Sequence, residues 1–165
     1  MWIEHLNNAV LHHHGTRLIG GFPEPFYKAA ERDSRAEVQF TRDYERSALH
    51  ELGHWCIAGK QRRLMNDYGY WYVPDGRSDE QQRLFYTVET KPQALEKHFC
   101  TALELSFEVS ADNIGNYSRA DMDTFSDRVD EQYSNYLQEG FPPRVTEIYD
   151  CLRQWHNEYS AQGGD

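Results

Sequence analysis

His50-Glu51-Leu52-Gly53-His54 constrains this chain more than any other feature. Four residues carry an α-helix through about 400° and raise it by about 6 Å, so on a helix the two histidines leave nearly the same face and can grip one metal ion. Glu51 stands one step round that face, within reach of a water held by such a metal, which makes it the catalytic candidate. The surroundings predict a helix from Asp43 to Ala58, with Tyr44, Ala48, Leu52, Trp55 and Cys56 along one stripe and Gly59 at its end. Leu49, Leu52 and Cys56 would anchor the reverse of the helix in the core. Gly53 is costly in a helix interior, by about 0.5 to 1 kcal/mol relative to alanine, and predicts a close backbone approach beside the site rather than a chance motif on a solvated surface.

Two imidazoles need a further protein ligand. Glu89 and Glu96 are the best candidates, seven residues apart on a segment interrupted by Pro92, and so near one helical face. A His-His-Glu set with open positions serves zinc in a peptidase or ferrous iron in an oxygenase, so ligand type alone does not choose the chemistry.

The rest of the chain predicts one domain over residues 1–165, because 165 residues with 39% hydrophobic and 14% aromatic content can fill a single core. The expected class is mainly α (α+β with a small amount of strand). A short helix near Trp2–Leu11 precedes a loop broken by Gly15, Gly20-Gly21 and Pro23-Glu24-Pro25, and Val38-Gln39-Phe40 alternates like a brief strand. Asp67 to Arg77 reads as extended. A helix from Ser78, with Gln81 in capping-box register, should be kinked or interrupted at Pro92, and further helices should open at Ser118 and at Pro142-Pro143. No apolar run is long enough for a membrane span, and the N-terminus lacks a signal pattern. Seventeen basic against 27 acidic residues give a net charge of −10, which argues against nucleic acid and membrane and favours a cationic target. Cys56, Cys100 and Cys151 form no CxxC pair and are expected to be buried thiols in a reducing cytoplasm. His12-His13-His14 are consecutive, cannot all face one ion, and read as a solvated patch.

The words around the motif carry a resemblance. His50-Glu51-x-x-His54-Trp55-Cys56-Ile57-Ala58-Gly59-Lys60, Asp67-Tyr68-Gly69-Tyr70-Trp71-Tyr72 with Pro74-Asp75-Gly76-Arg77, and Val88-Glu89-x-Lys91-Pro92-Gln93-Ala94-Leu95 together resemble the bacterial elongation factor P hydroxylase family. The likeness runs from about Thr16 to Asn113 and more loosely to the last helix. It implies a cytoplasmic, iron-dependent enzyme that hydroxylates a lysine of elongation factor P after that lysine has received a β-lysyl extension, with O2 as co-substrate. It also implies a protease-like, zincin-like H-E-x-x-H helix and a 2-His-1-carboxylate Fe(II) site, and carries ligand roles onto His50, His54 and Glu89, choosing Glu89 over Glu96. Whether 2-oxoglutarate takes part is left open; Arg62, Arg63 and Arg77 could each clamp its carboxylate.

The run Tyr68, Tyr70, Trp71 and Tyr72 suits a packed face first. It also suits the wall of a pocket for a long cationic side chain, for which Tyr70, Trp71, Asp75 and Arg77 are the substrate-binding candidates, with Asp67 as a further acidic end. Lys60-Gln61-Arg62-Arg63 reads as a solvated helix exit. Two other functions share the same ligands: a small H-E-x-x-H zinc metallopeptidase with Glu51 as general base, and a zinc-stabilised binding protein without chemistry.

Overall fold

The computed structural model describes residues 1–70, 78–110 and 119–161, the side chains of residues 119 and 120 excepted. Apolar positions at helical spacing give α1 (Trp2–Ala9), α2 (Glu45–Ile57), α3 (Asp79–Ala102), α4 (Arg119–Glu139) and α5 (Pro143–Ala161) among the described residues. A small sheet of β1 (Thr16–Phe22), β2 (Phe26–Lys28) and β3 (Ala36–Thr41) has the order β1-β3-β2. β1 and β3 are parallel, with Leu18 opposite Val38, and β2 is antiparallel to β3, with Tyr27 opposite Val38. The molecule is therefore mainly helical, as expected, and none of its helices is long and apolar enough to cross a membrane.

The segment expected to be a loop after α1 is strand β1, and β2 was not anticipated. Gly20-Gly21 lies at an irregularity in the β1–β3 register, between Ile19 and Phe22, rather than in a turn. A Cβ on Gly20 would stand 2.5 Å from both the Arg42 carbonyl and the Phe40 ring, so glycine is there to let two strands meet.

α2 lies at the centre. Ala48, Leu49, Leu52, Trp55 and Cys56 are buried, whereas Tyr44 caps the helix from outside and is exposed. The last turn of α2 is closed from a distance: Arg144, near the start of α5, donates at 2.8 Å to the carbonyls of both Cys56 and Ala58, and Arg63 donates at 2.6 Å to Ala58. These are the orphan carbonyls of a helix end, and guanidinium groups suit them by charge as well.

α3 opens with the capping box of Ser78 and Gln81. It is not interrupted at Pro92 but runs from Asp79 to Ala102 through it. Proline removes the hydrogen bond to the Val88 carbonyl, and Val88 is exposed, so water can serve that oxygen. Across from it, a Cβ on Gly53 would stand 2.7 Å from the Pro92 carbonyl oxygen. Gly53 thus lets α2 and α3 meet backbone to backbone, the close approach its cost predicted. The α5 start at Pro143 agrees with Pro142-Pro143, while the expected Ser118 cap of α4 lies outside the described residues. Cys56, Cys100 and Cys151 are free and buried, and burial pushes the first two thiols up to about 12.

Candidate metal centre

The approach of α2 to α3 fixes three side chains around one point. On α2, His50 and His54 place their Nε2 atoms 3.1 Å apart. On α3, Glu89 sets Oε2 at 3.2 Å from His50 Nε2 and Oε1 at 3.0 Å from His54 Nε2. Two bonds of about 2.1 Å meeting at a right angle hold their donor atoms about 3.0 Å apart, against about 3.4 Å at the tetrahedral angle. The separations therefore suit three adjacent positions around one ion, and this group of His50, His54 and Glu89 can hold a metal.

The electrostatics agree. Burial disfavours a charged His50, but the Glu89 carboxylate, and after it Glu96 and Glu51, outweigh burial and push the imidazole well above its usual value. Burial alone would raise Glu89, yet His54 and His50 pull it well below the carboxylate range. A carboxylate that favours a proton on His50 favours a metal cation as well, so proton and metal compete for the same lone pair.

Glu96, the other acidic candidate of α3, stands behind the group rather than in it. Its Oε2 lies 3.0 Å from His50 Nδ1, and its Oε1 accepts from Arg46 Nε at 2.7 Å and meets Arg46 Nη2 at 2.6 Å. That arrangement fixes the His50 tautomer with Nδ1–H toward Glu96 and turns the Nε2 lone pair toward Glu89 and His54. Arg46 is itself held by the Glu108 carbonyl at 2.7 Å and lies over the Phe107 ring. The sequence reading missed Arg46, although its position four residues before His50 puts it on the same helical face.

Glu51 lies beside the donors without joining them. Burial raises its carboxyl, offset in part by His54 and His50, and it makes no hydrogen bond within the described residues. On the His54 side a cavity of about 410 Å³ opens between the end of α2 and the Val88–Pro92 stretch of α3. Tyr70 is on its rim under the Arg62 guanidinium, 4.3 Å from the ring centroid. Trp71, Asp75 and Arg77 lie outside the described residues. Asp67 is not a free acidic end: its Oδ1 accepts from the Tyr27 amide at 2.9 Å, tying the following turn to β2. Arg63 is likewise committed to the end of α2, whereas Arg62 stays at the cavity and donates to the Tyr68 carbonyl at 3.0 Å.

Of the described residues in the stretch from Asp67 to Arg77, which is expected to be extended, all but Tyr70 instead lie in a tight turn, Asn66–Gly69, where Asp67, Tyr68 and Gly69 have positive φ, at 46°, 57° and 74°. Left-handed backbone costs about 1 to 2 kcal/mol for a residue with a side chain, so the surroundings must hold this turn. It places Tyr68 in the cavity wall, buried, with burial and then the Glu51 charge pushing its phenol well above the usual value.

Comparison with known proteins agrees with the resemblance read from the motif blocks. A family model described as elongation factor P hydroxylase matches residues 6–163. A protein of Haemophilus influenzae, elongation factor P lysine hydroxylase, is 42% identical over 147 residues, spanning 88% of this chain and 82% of that protein. With the match covering nearly the whole chain, from α1 to the end of α5, the protein belongs to the elongation factor P hydroxylase family.

Proposed function

We propose that this protein is an iron-dependent hydroxylase of elongation factor P, acting on a lysine side chain that already carries a β-lysyl extension, and that residues 1–165 work as one cytoplasmic hydroxylase domain. Family membership supports the lysine hydroxylase activity, and the His50, His54 and Glu89 donor group carries the metal part of the reading. Ferrous iron bound there would supply the redox chemistry with O2 that oxidation of an unactivated C–H bond requires.

The chain's own residues do the rest. His50, His54 and Glu89 would hold the ion, in the manner of a zincin-like H-E-x-x-H helix, with the cavity beside His54 taking the substrate. Glu96 and Arg46 keep His50 in the ligating tautomer. Glu51, without a hydrogen bond among the described residues, holds or passes a proton next to the reacting side chain. Tyr70 gives the cavity an aromatic rim against which an aliphatic, cationic chain can lie; Trp71, Asp75 and Arg77 are the further substrate-binding residues of this reading.

Intact-mass measurement of β-lysylated elongation factor P after incubation with the protein, Fe(II) and oxygen tests the proposal. A gain of one oxygen atom is the expected result, and parallel runs with and without 2-oxoglutarate decide whether that acid is consumed. Absence of any gain, with cleavage of a peptide tracking zinc content, would replace it with the metallopeptidase.

A further inference from the structure

The lining of the cavity beside His54 runs against the charge of the molecule. With 17 basic against 27 acidic residues the chain carries −10, yet the described lining holds two cations, Lys60 and Arg62, and no carboxylate. The run from Lys60 to Arg63, expected to be a solvated helix exit, is divided. Arg63 is committed to the Ala58 carbonyl. Arg62 is fixed at the cavity, with Nη1 donating to the Tyr68 carbonyl at 3.0 Å and the guanidinium over the Tyr70 ring. Its remaining N–H groups and the Lys60 ammonium make no hydrogen bond or ion pair among the described residues.

Apolar side chains stand among these charges. Ile57 at the end of α2, Tyr70, and Val88 on α3 are 39%, 47% and 41% exposed and line the same cavity. Apolar groups that converge from three parts of the chain, bordered by unpaired cations, have the make-up of a protein–protein contact, in which apolar area supplies affinity and charge supplies orientation. A cavity of about 410 Å³ admits a side chain and not a folded body, so the surface around an inserted side chain must come to rest on this rim.

The inference rests on the reading given above, in which the inserted side chain is a lysine extended by further ammonium groups. Lys60 and Arg62 oppose the approach of such a chain, and carboxylates on the surface around it remove that opposition. We propose that Ile57, Tyr70 and Val88 with Lys60 and Arg62 form the docking surface for elongation factor P, and that they take an apolar segment of that protein bearing carboxylates beside the modified lysine. A polyanion fits poorly, because two cations offset little of its charge and a chain of net charge −10 repels nucleic acid and anionic lipid.

Lys60→Glu tests this, since Lys60 makes no bond that holds the fold. Calorimetric binding of β-lysylated elongation factor P to zinc-loaded protein should weaken by about 10-fold in Lys60→Glu and by about 3-fold in Ile57→Ser, with bound metal and Tm as in wild type. In turnover the loss should appear in KM rather than kcat. Replacing in turn by lysine each carboxylate that neighbours the modified lysine should yield one variant of elongation factor P that regains affinity for Lys60→Glu and loses it for wild type. Wild-type affinity in either variant, or a loss that no charge exchange recovers, overturns the inference. So does loss of free 2-oxoglutarate binding in Lys60→Glu with elongation factor P binding intact, which would give the cations to a small carboxylate. If wild type binds elongation factor P through this rim but adds no oxygen, the hydroxylase reading falls and the docking surface stands.

Discussion

His50 and His98 are both largely withdrawn from water, one at the α2–α3 interface and the other where α3 meets α4 and α5, and they titrate in opposite directions. His98 lies between the Phe141 and Tyr149 rings, with centroids at 3.8 and 4.1 Å, and burial lowers it from 6.5 to about 4. Its Nδ1 has no hydrogen-bond partner among the described residues. His50 feels the same desolvation but faces Glu89 and Glu96, and rises. What separates a core histidine from a candidate metal ligand in this molecule is therefore the pair of buried carboxylates that α3 turns toward α2.

Removing the nearer carboxylate should break that contrast most severely. Glu89→Ala, like His50→Ala or His54→Ala, is expected to lose most bound metal, because each takes one of the three donors grouped among the described residues. Elemental analysis of purified variants reads this directly, and full metal content in Glu89→Ala would show that the carboxylate is not a ligand. Next in size is Gly53→Ala, whose Cβ would meet the Pro92 carbonyl oxygen at 2.7 Å. Forcing the two backbones apart should destabilise the protein by about 1 to 3 kcal/mol, seen as a lowered Tm. A melting temperature equal to wild type would mean that the helices can separate freely.

Glu96→Gln sharpens the comparison without emptying the site. Loss of the carboxylate behind His50 should weaken metal affinity by about 10- to 100-fold while the site still fills at saturating metal. Competition against a chelator distinguishes this from an unchanged affinity, which would make Glu96 only a partner of Arg46. The smallest effect belongs to His98. Its folded value near 4 lies below the usual 6.5, so as pH falls through 6.5 toward 4 the unfolded chain takes up a proton that the native chain does not, and stability drops. His98→Phe should flatten that part of the urea-midpoint profile, and a slope identical to wild type would assign it to other groups.

How much of this was legible before the fold was known depends on whether a residue's partners are local. The H-E-x-x-H helix, its buried reverse face and the role of Gly53 followed from spacing of apolar and polar residues within a dozen positions. Glu89 and Glu96 could not be separated that way, since both are buried on one face of α3, at 1% and 2% exposure, and only the family resemblance preferred Glu89. Their different duties arise from where α2 crosses: Glu89 meets two imidazole Nε2 atoms and Glu96 meets Nδ1 and a guanidinium. β1 escaped because glycines usually interrupt periodicity, and here they serve contact with Arg42 and Phe40. The Tyr68 turn escaped because its supports, Ala29 and Tyr27, are distant in sequence, and an aromatic run looks extended until something bends it.

Arg144 sets the order in which the molecule can be completed during synthesis. The helix bearing both histidines emerges in about the first third of translation, and Arg63 can meet the Ala58 carbonyl soon after, but the Cys56 carbonyl and the second donor to Ala58 wait for a guanidinium nearly 90 residues downstream. Until α5 docks, the last turn of α2, adjoining His54 and the cavity rim, lacks this closure and is free to fray. The turn beside His54 is thus closed in full only once the final helix has left the ribosome.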